Sequence, residues 1–313
     1  MKSCELLELF EKSKHSYHLV GTEKNGVIIG LSLEGRFFTS LSGEIVSRVN
    51  PEVFVKQSSG KEYVNPGGDG LWPAPEGSCL GYEYSTGSWR VPPGITNALY
   101  RVVSSDKNKA SVSAEIDLIN NMGRGIPAIF SRNVAIEEAP ETLTIKSVES
   151  IEYAGTEELS RNQCLLAPWS LSQFDCMEGC EVVLPAKSDD AVWDLYGPSD
   201  EYRRLEKGLF RIKTGGGKRF QVGIGAEVGW IEYRNPYKKI AVRRQAETLE
   251  EGYDYFDIAD RSPEEKPRER GVRYSVYNDA GCFMEIEAAG GVPPVFKQNT
   301  SSAVSVTTIF KKG

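Results

Sequence analysis

Two carboxylates spaced to fall on one face of a strand, Glu285 and Glu287, are the side chains of this 313-residue sequence best patterned for acid–base chemistry. In Phe283-Met284-Glu285-Ile286-Glu287-Ala288, period-two alternation sends Phe283, Glu285 and Glu287 one way and Met284, Ile286 and Ala288 the other. With Met284 and Ile286 turned into a core, both carboxylates look out into a concave surface or into solvent. Like charges about 7 Å apart along a strand repel and raise one of the two pKa values. Such a pair can act as a general base, bind hydroxyls, or stand as two solvated strand carboxylates.

A second segment with chemical character is Asn65-Pro66-Gly67-Gly68-Asp69-Gly70-Leu71-Trp72-Pro73-Ala74-Pro75-Glu76-Gly77. Its glycines allow close backbone approach and its prolines fix the path, so Trp72 and Glu76 are held rigidly. It falls within Asn50–Ser78, one of two long irregular stretches, and reads as an ordered loop. A rigid indole face suits the C–H side of a sugar ring, and a carboxylate suits its hydroxyls. The alternative is that Trp72 plugs the end of a core and Glu76 ties the loop down. Asp69, Trp72 and Glu76 are the candidate ligand-binding residues of this segment. Trp169 and Gln173 are further candidates on one face of a strand whose other face carries Ser170. Arg132, among apolar neighbours in Ile126–Ile136, is either in a buried ion pair or reaching into a cleft.

Other chemistries find little support. The two histidines, His15 and His18, stand near the start, and no nucleophile elbow occurs, so no Ser/His/Asp or Cys/His triad is tenable. The six cysteines are scattered, with only Cys176 and Cys180 close in sequence; reduced thiols and no metal site are expected. Gly215-Gly216-Gly217-Lys218 lacks the spacing of a phosphate loop and reads as a hairpin turn. No Gly-x-Gly-x-x-Gly leads from strand to helix, and no cofactor is expected.

The elements that must position these residues are strands. Val112, Ala114, Ile116 and Leu118 alternate with polar residues in Ser111–Asn120, and Val304–Phe310 repeats the pattern. Further strands are predicted at Tyr17–Val20, Val27–Leu33, Leu99–Ser104, Ile126–Ile136, Leu143–Tyr153, Arg219–Gly225, Val228–Tyr233, Lys239–Arg244 and Arg273–Tyr277. Met1–Lys14 reads as a short amphipathic helix with Leu6, Leu9 and Phe10 on one side; its glutamates interrupt any signal-peptide core. Asp260–Arg270, charged and proline-bearing, reads as a surface loop. Residues 1–313 are expected to form one all-β antiparallel domain.

Several of these segments resemble, in order, signatures of the galactose-mutarotase-like, or aldose-epimerase-like, superfamily. The resemblance rests on Gly-Gly-Asp-Gly-Leu-Trp-Pro-Ala-Pro-Glu at 67–76 and Leu-Ala-Pro-Trp-Ser-Leu-Ser-Gln-Phe at 166–174. It continues through Val222–Gly225, Gly229–Tyr233, Tyr274–Asn278 and Phe283–Ala288. It implies an antiparallel β-supersandwich with a concave carbohydrate-type cleft. It also implies that Glu285 stands where mutarotases carry their base, with Glu287 in place of a glutamine. Their acid is a histidine, which this sequence does not offer near the cleft, so an acid must come from Lys, Tyr, Asp or a protonated Glu. Robust mutarotation of ordinary glucose or galactose is therefore not expected. The ligand expected is a small carbohydrate, bound by an epimerase or by a non-catalytic sugar-binding protein.

A net charge of −7 speaks against nucleic acid or an anionic membrane as partner. No run approaches the roughly 18 apolar residues of a membrane-spanning helix, and a cytoplasmic location is expected. Oligomeric state is not encoded in any motif.

Overall fold

Two ten-stranded antiparallel sheets, packed face to face, carry most of the chain in the computed structural model, which describes residues 1–313. The first sheet runs, edge to edge, Tyr17–Gly21, Gly26–Gly30, Arg36–Leu41, Asp69–Ala74, Ala167–Asp175, Phe283–Ala289, Tyr274–Asn278, Phe220–Ile224 and Val192–Tyr196, with Glu44–Ile45 beside Arg36–Leu41. The second contains the long strands Lys109–Ile119, Gly125–Ala139, Thr142–Tyr153 and Thr300–Lys312. This is the antiparallel β-sandwich expected from the period-two patterning.

The two sheets differ in what covers them. The long strands of the second alternate buried and exposed residues, as in Gly125–Ala139, so one face packs inward and the other is open. Central strands of the first sheet, such as Asp69–Ala74 and Arg36–Leu41, are buried throughout. One face meets the second sheet and the other is roofed by loops, which is where a cleft forms. The helix Ser3–Ser13 packs Leu6 and Phe10 into a smaller apolar cluster with Ile28, Phe38 and Phe54. No helix is long and apolar enough to cross a membrane.

Two expectations are corrected. Asp69–Ala74 is a central strand, not a loop. Its glycines serve close approach, since a Cβ on Gly70 would sit 2.6 Å from the Arg36 guanidinium. Pro73 lies opposite Pro168 in register, so two residues without N–H groups share one rung of the sheet.

Second, neither Arg132 nor Asp69 faces the cleft. Arg132 is fully buried between the sheets, with Nε 2.8 Å from Glu149 Oε1 and Nη1 donating to Gly35 O and Asp69 O at 2.6 and 2.9 Å. Its guanidinium stacks 3.6 Å from the Phe37 ring centroid. The Asp69 carboxyl shares this layer; burial pushes its pKa up, against the pull of Arg244 and Arg132. Arg244 in turn donates to Ser170 O and Ile286 O at 3.0 and 2.7 Å, tying the central strands of the first sheet to the second. A charge on a core-facing position must be paired, and here the pairing wins over the cleft.

Asp260–Arg270 is the exposed loop expected, and it is tied down at two points. Arg261 O and Glu265 O accept from the Ser78 and Cys79 N–H groups, and a Cβ on Gly77 would overlap the Arg261 backbone. This contact brings the start of the loop against the end of the Gly67–Glu76 segment.

Candidate functional site

Register across five neighbouring strands builds the site. Trp72 lies opposite Trp169, Leu171 opposite Glu287, Gln173 opposite Glu285, Glu285 opposite Tyr277, and Tyr277 opposite Gln221. Because side chains alternate along each strand, this register lines up Trp72, Trp169, Leu171, Glu285, Glu287, Tyr277 and Gln221 on one face. They line a cavity of about 340 Å³, closed by Tyr63, Glu76, Trp89, Tyr196, Arg219 and Asp260 from strand ends and loops. That volume lies in the range of small-molecule pockets, about 300–1,000 Å³.

One part of the wall is aromatic. Trp72 meets Trp169 edge to face with ring centroids 6.3 Å apart, and Tyr63 tilts against Trp72 at 6.0 Å. The Trp72 Nε1 donor is buried and finds no partner in the chain. An orphaned indole N–H inside a cavity is a hydrogen bond waiting for a ligand oxygen.

The rest of the chemistry is carboxylic. Glu287 is 1% exposed; its Oε2 accepts from Trp169 Nε1 at 3.1 Å and Gln221 Nε2 at 3.2 Å, while Oε1 has no partner. Burial and then the neighbouring Glu285 charge hold the Glu287 pKa well above the ordinary carboxylate range. Burial also raises Glu285, with Arg36 pulling the other way. Glu76 accepts from Trp89 Nε1 at 2.7 Å. Burial, then the Asp260 charge, pushes its pKa up to about 8, with Glu285 adding to the rise. Glu76 is therefore a neutral acid at pH 7, sharing a cavity with the Glu285–Glu287 pair.

Of the candidates read from sequence, Trp72, Glu76, Trp169, Glu285 and Glu287 come together in the wall. Gln173 shares their face beside Glu285 but stands next to the cavity, accepting from Arg48 Nη1 at 3.4 Å. Asp69 and Arg132 lie behind the sheet. The histidines are elsewhere: His15 pairs with Ser32 Oγ at 3.0 Å, and neither it nor His18 lines the cavity. No group of three or more His, Cys, Asp or Glu residues is arranged to hold a metal ion.

Sequence reasoning missed several wall residues. Tyr277 and Gln221 sit on strands that alternation had located, on the face opposite the apolar one, and could have been read there. Trp89 and Asp260 arrive on loops that no local period describes. Arg219 donates from Nε to Tyr277 Oη at 2.8 Å, and Tyr277 donates to Asp279 Oδ2 at 2.6 Å. These bonds fix the far end of the cavity.

A stability consequence follows from the buried acids. Glu76 titrates near pH 8 in the folded chain, against about 4.3 for a glutamate in an unfolded one. Glu83, Glu285, Glu287 and Asp69 are shifted in the same direction, each chiefly by burial. Between the unfolded and folded values the folded state binds more protons, so stability falls as pH rises through that window. The melting temperature is expected to decline between about pH 5 and pH 8. A flat or rising profile in a thermal-denaturation series would contradict this burial of neutral acids.

Comparison with known proteins places this geometry in context. A model of a family of unknown function (DUF6786) matches residues 5–231. No curated protein matches the sequence. Among solved structures, the chain is similar to the Slr1438 protein of Synechocystis sp. PCC 6803, with a TM-score of 0.57 and 11% identity over 96% of both chains. It is similar to a galactose mutarotase-like protein of Lactobacillus casei ATCC 334, with a TM-score of 0.55 and 7% identity over 94% of this chain and 100% of that one. A galactose mutarotase related enzyme of Lactobacillus acidophilus gives a TM-score of 0.52 and 11% identity over 95% and 98%. At such identities the likeness is one of fold, and the fold is that of the galactose-mutarotase-like sandwiches.

Proposed function

We propose that this chain, which belongs to the family of unknown function DUF6786, takes a monosaccharide into the cavity and moves protons at its anomeric centre. The observation that carries the reading is the meeting, in one aromatic-walled cavity, of a neutral acid, Glu76, with a pair of buried carboxyl groups, Glu285 and Glu287. Ring opening of a sugar needs a base at the anomeric hydroxyl and an acid at the ring oxygen. Glu285, in its ionised form, takes the hydroxyl proton while Glu76 gives its own to the ring oxygen. The bond between C1 and the ring oxygen breaks, leaving an open-chain aldehyde. Re-addition of the hydroxyl to the other carbonyl face, with both protons returned, gives the second anomer. Trp72 and Trp169 supply the apolar surface against which the ring lies. Glu76 thus fills the role left without a candidate by the histidine count. The mutarotase names of two solved neighbours of this fold support the same substrate class.

The test is polarimetry on freshly dissolved single anomers of a panel of aldoses, alongside calorimetric binding. Activity is expected to rise as Glu285 ionises and to fall as pH climbs through about 8, where Glu76 loses its proton. Trp72→Ala is expected to weaken sugar binding by about tenfold or more, through lost stacking area and the lost N–H. Acceleration of anomer exchange with no alkaline limb near that pH would remove Glu76 from the acid role.

A second reading, sugar binding without catalysis, is favoured by one observation: no histidine lines the cavity. Saturable binding without any rate acceleration across the panel would select it.

A further inference from the structure

We propose that the sugar held in this cavity is a cationic amino sugar, a hexose with a free ammonium group, in preference to its neutral parent and to phosphorylated or carboxylated sugars. The inference rests on the sugar-binding reading above and adds the charge of the ligand to it.

The wall is electrostatically one-sided. Glu76, Asp260, Asp279, Glu285 and Glu287 all contribute carboxyl groups, against the single cation Arg219. Arg219 is already engaged, donating to Tyr277 Oη and lying over the Tyr196 and Tyr277 rings at 4.7 and 5.6 Å. Arg36, fully buried on the same face of the sheet beside Gly70 and Trp72, spends Nε and Nη2 on Glu34 and Tyr63, is charge-paired with Glu34, and leaves Nη1 without a partner. Arg48 is turned to Gln173 and to the Phe283 ring face, 4.3 Å from its centroid. A phosphate or carboxylate entering here would meet five carboxyl groups in the lining against one guanidinium, with Arg36 beside the lining already charge-paired to Glu34.

The cavity offers a cation the opposite reception. Glu287 Oε1 is a buried acceptor whose polar neighbours are the Ser275 hydroxyl opposite it and the Glu285 carboxyl, and a ligand donor would complete its hydrogen bonding. A hydroxyl can supply that bond, but an ammonium group supplies both the bond and the counter-charge that makes the ionised form of Glu287 favourable. The indole and phenol faces around it attract a cation as well. The Trp72 Nε1 donor, also unpartnered, is left to a neutral ring hydroxyl or the ring oxygen.

The experiment is calorimetric titration of the full chain at about pH 6.5 with glucosamine, glucose, N-acetylglucosamine, glucose 6-phosphate and glucuronate. Glucosamine is expected to bind roughly tenfold tighter than glucose, because a charge-assisted hydrogen bond is about twice as strong as a neutral one. N-acetylglucosamine, which keeps the nitrogen but not the charge, should lose that advantage, and the two anionic sugars should bind weakest. Glu287→Gln, close in shape but uncharged, should bring the glucosamine-to-glucose ratio toward one; a thermal melt checks its fold. Glucose binding as tight as glucosamine, or glucose 6-phosphate binding tighter than either, overturns the charge preference and leaves the sugar-binding reading standing. Failure of every sugar to bind overturns both.

Discussion

Glu76→Gln is expected to lower the rate of anomer exchange by about 10²–10⁴-fold, the usual worth of a general acid, with sugar affinity nearly retained. Glutamine keeps the shape and can still accept from Trp89 Nε1, which donates to Glu76 Oε1 at 2.7 Å. It carries no proton to give to a ring oxygen. Glu285→Gln should cost a similar factor for the opposite reason, since the amide cannot accept a proton. Because the two groups act in one transition state, the double variant should be little worse than either single one. Polarimetry on the most rapidly exchanged sugar, read as kcat and KM separately, measures all three. Wild-type turnover in Glu76→Gln would refute its role as acid and turn attention to Tyr277, whose phenol shares the wall.

The second large effect concerns stability. Arg132→Ala is expected to destabilise the fold by about 3–5 kcal/mol, the cost of leaving a buried partner charge unmatched. Glu149 would be that partner, 1% exposed and bonded to Arg132 through Nε and Nη2. The carbonyls of Gly35 and Asp69 would lose their donor as well. Replacing both charges, as in Arg132→Met with Glu149→Leu, should recover much of the loss, since an apolar pair of similar volume leaves no buried charge and only the two carbonyls without their donor. Urea denaturation of the single and double variants measures this. A loss under about 1 kcal/mol for Arg132→Ala would mean that water reaches the layer between the sheets.

Both sites show how far local pattern reaches. Phe283–Ala288 was legible because a half-covered strand writes its two faces into alternate residues, and Glu285 and Glu287 fall on the cleft side as their parity requires. The same rule bears on Asp69, a candidate for the cleft, and on Arg132, which the sequence leaves between a buried ion pair and the cleft. Arg132 shares its parity with Phe130 and Val134, both core residues, so from its strand in the second sheet it had to face the first. Asp69 and Trp72 are three residues apart on one strand and therefore point to opposite faces. What alternation could not supply is register. That Arg132 lies opposite Glu149, and Gln173 opposite Glu285, depends on which strands pair and where. Asp69–Ala74 was hidden for a different reason. A strand buried on both faces has no polar side to alternate with, and its glycines and prolines imitate a loop. Trp89 and Asp260 were beyond reach, because only contacts between distant loops bring them to the cavity.

The seam between Asp69–Ala74 and Ala167–Asp175 gives the first sheet a dividing line. On one side lie strands from the N-terminal part of the chain, ending at Asp69–Ala74; on the other lie strands from Ala167 onward. The Pro73–Pro168 rung does not loosen that seam: the Gln173 N–Gly68 O bond sets the alternation, which puts 73/168 between bonded pairs with both missing N–H groups on the outer sides. A ligand resting on Trp72 from one half and on Trp169 and Glu287 from the other would bridge the line. Its binding energy would then enter the cooperativity of the sheet as well as the occupancy of a pocket. Amide exchange in Tyr17–Gly21, Gly26–Gly30 and Arg36–Leu41, strands that touch no sugar, would report on the cavity being filled.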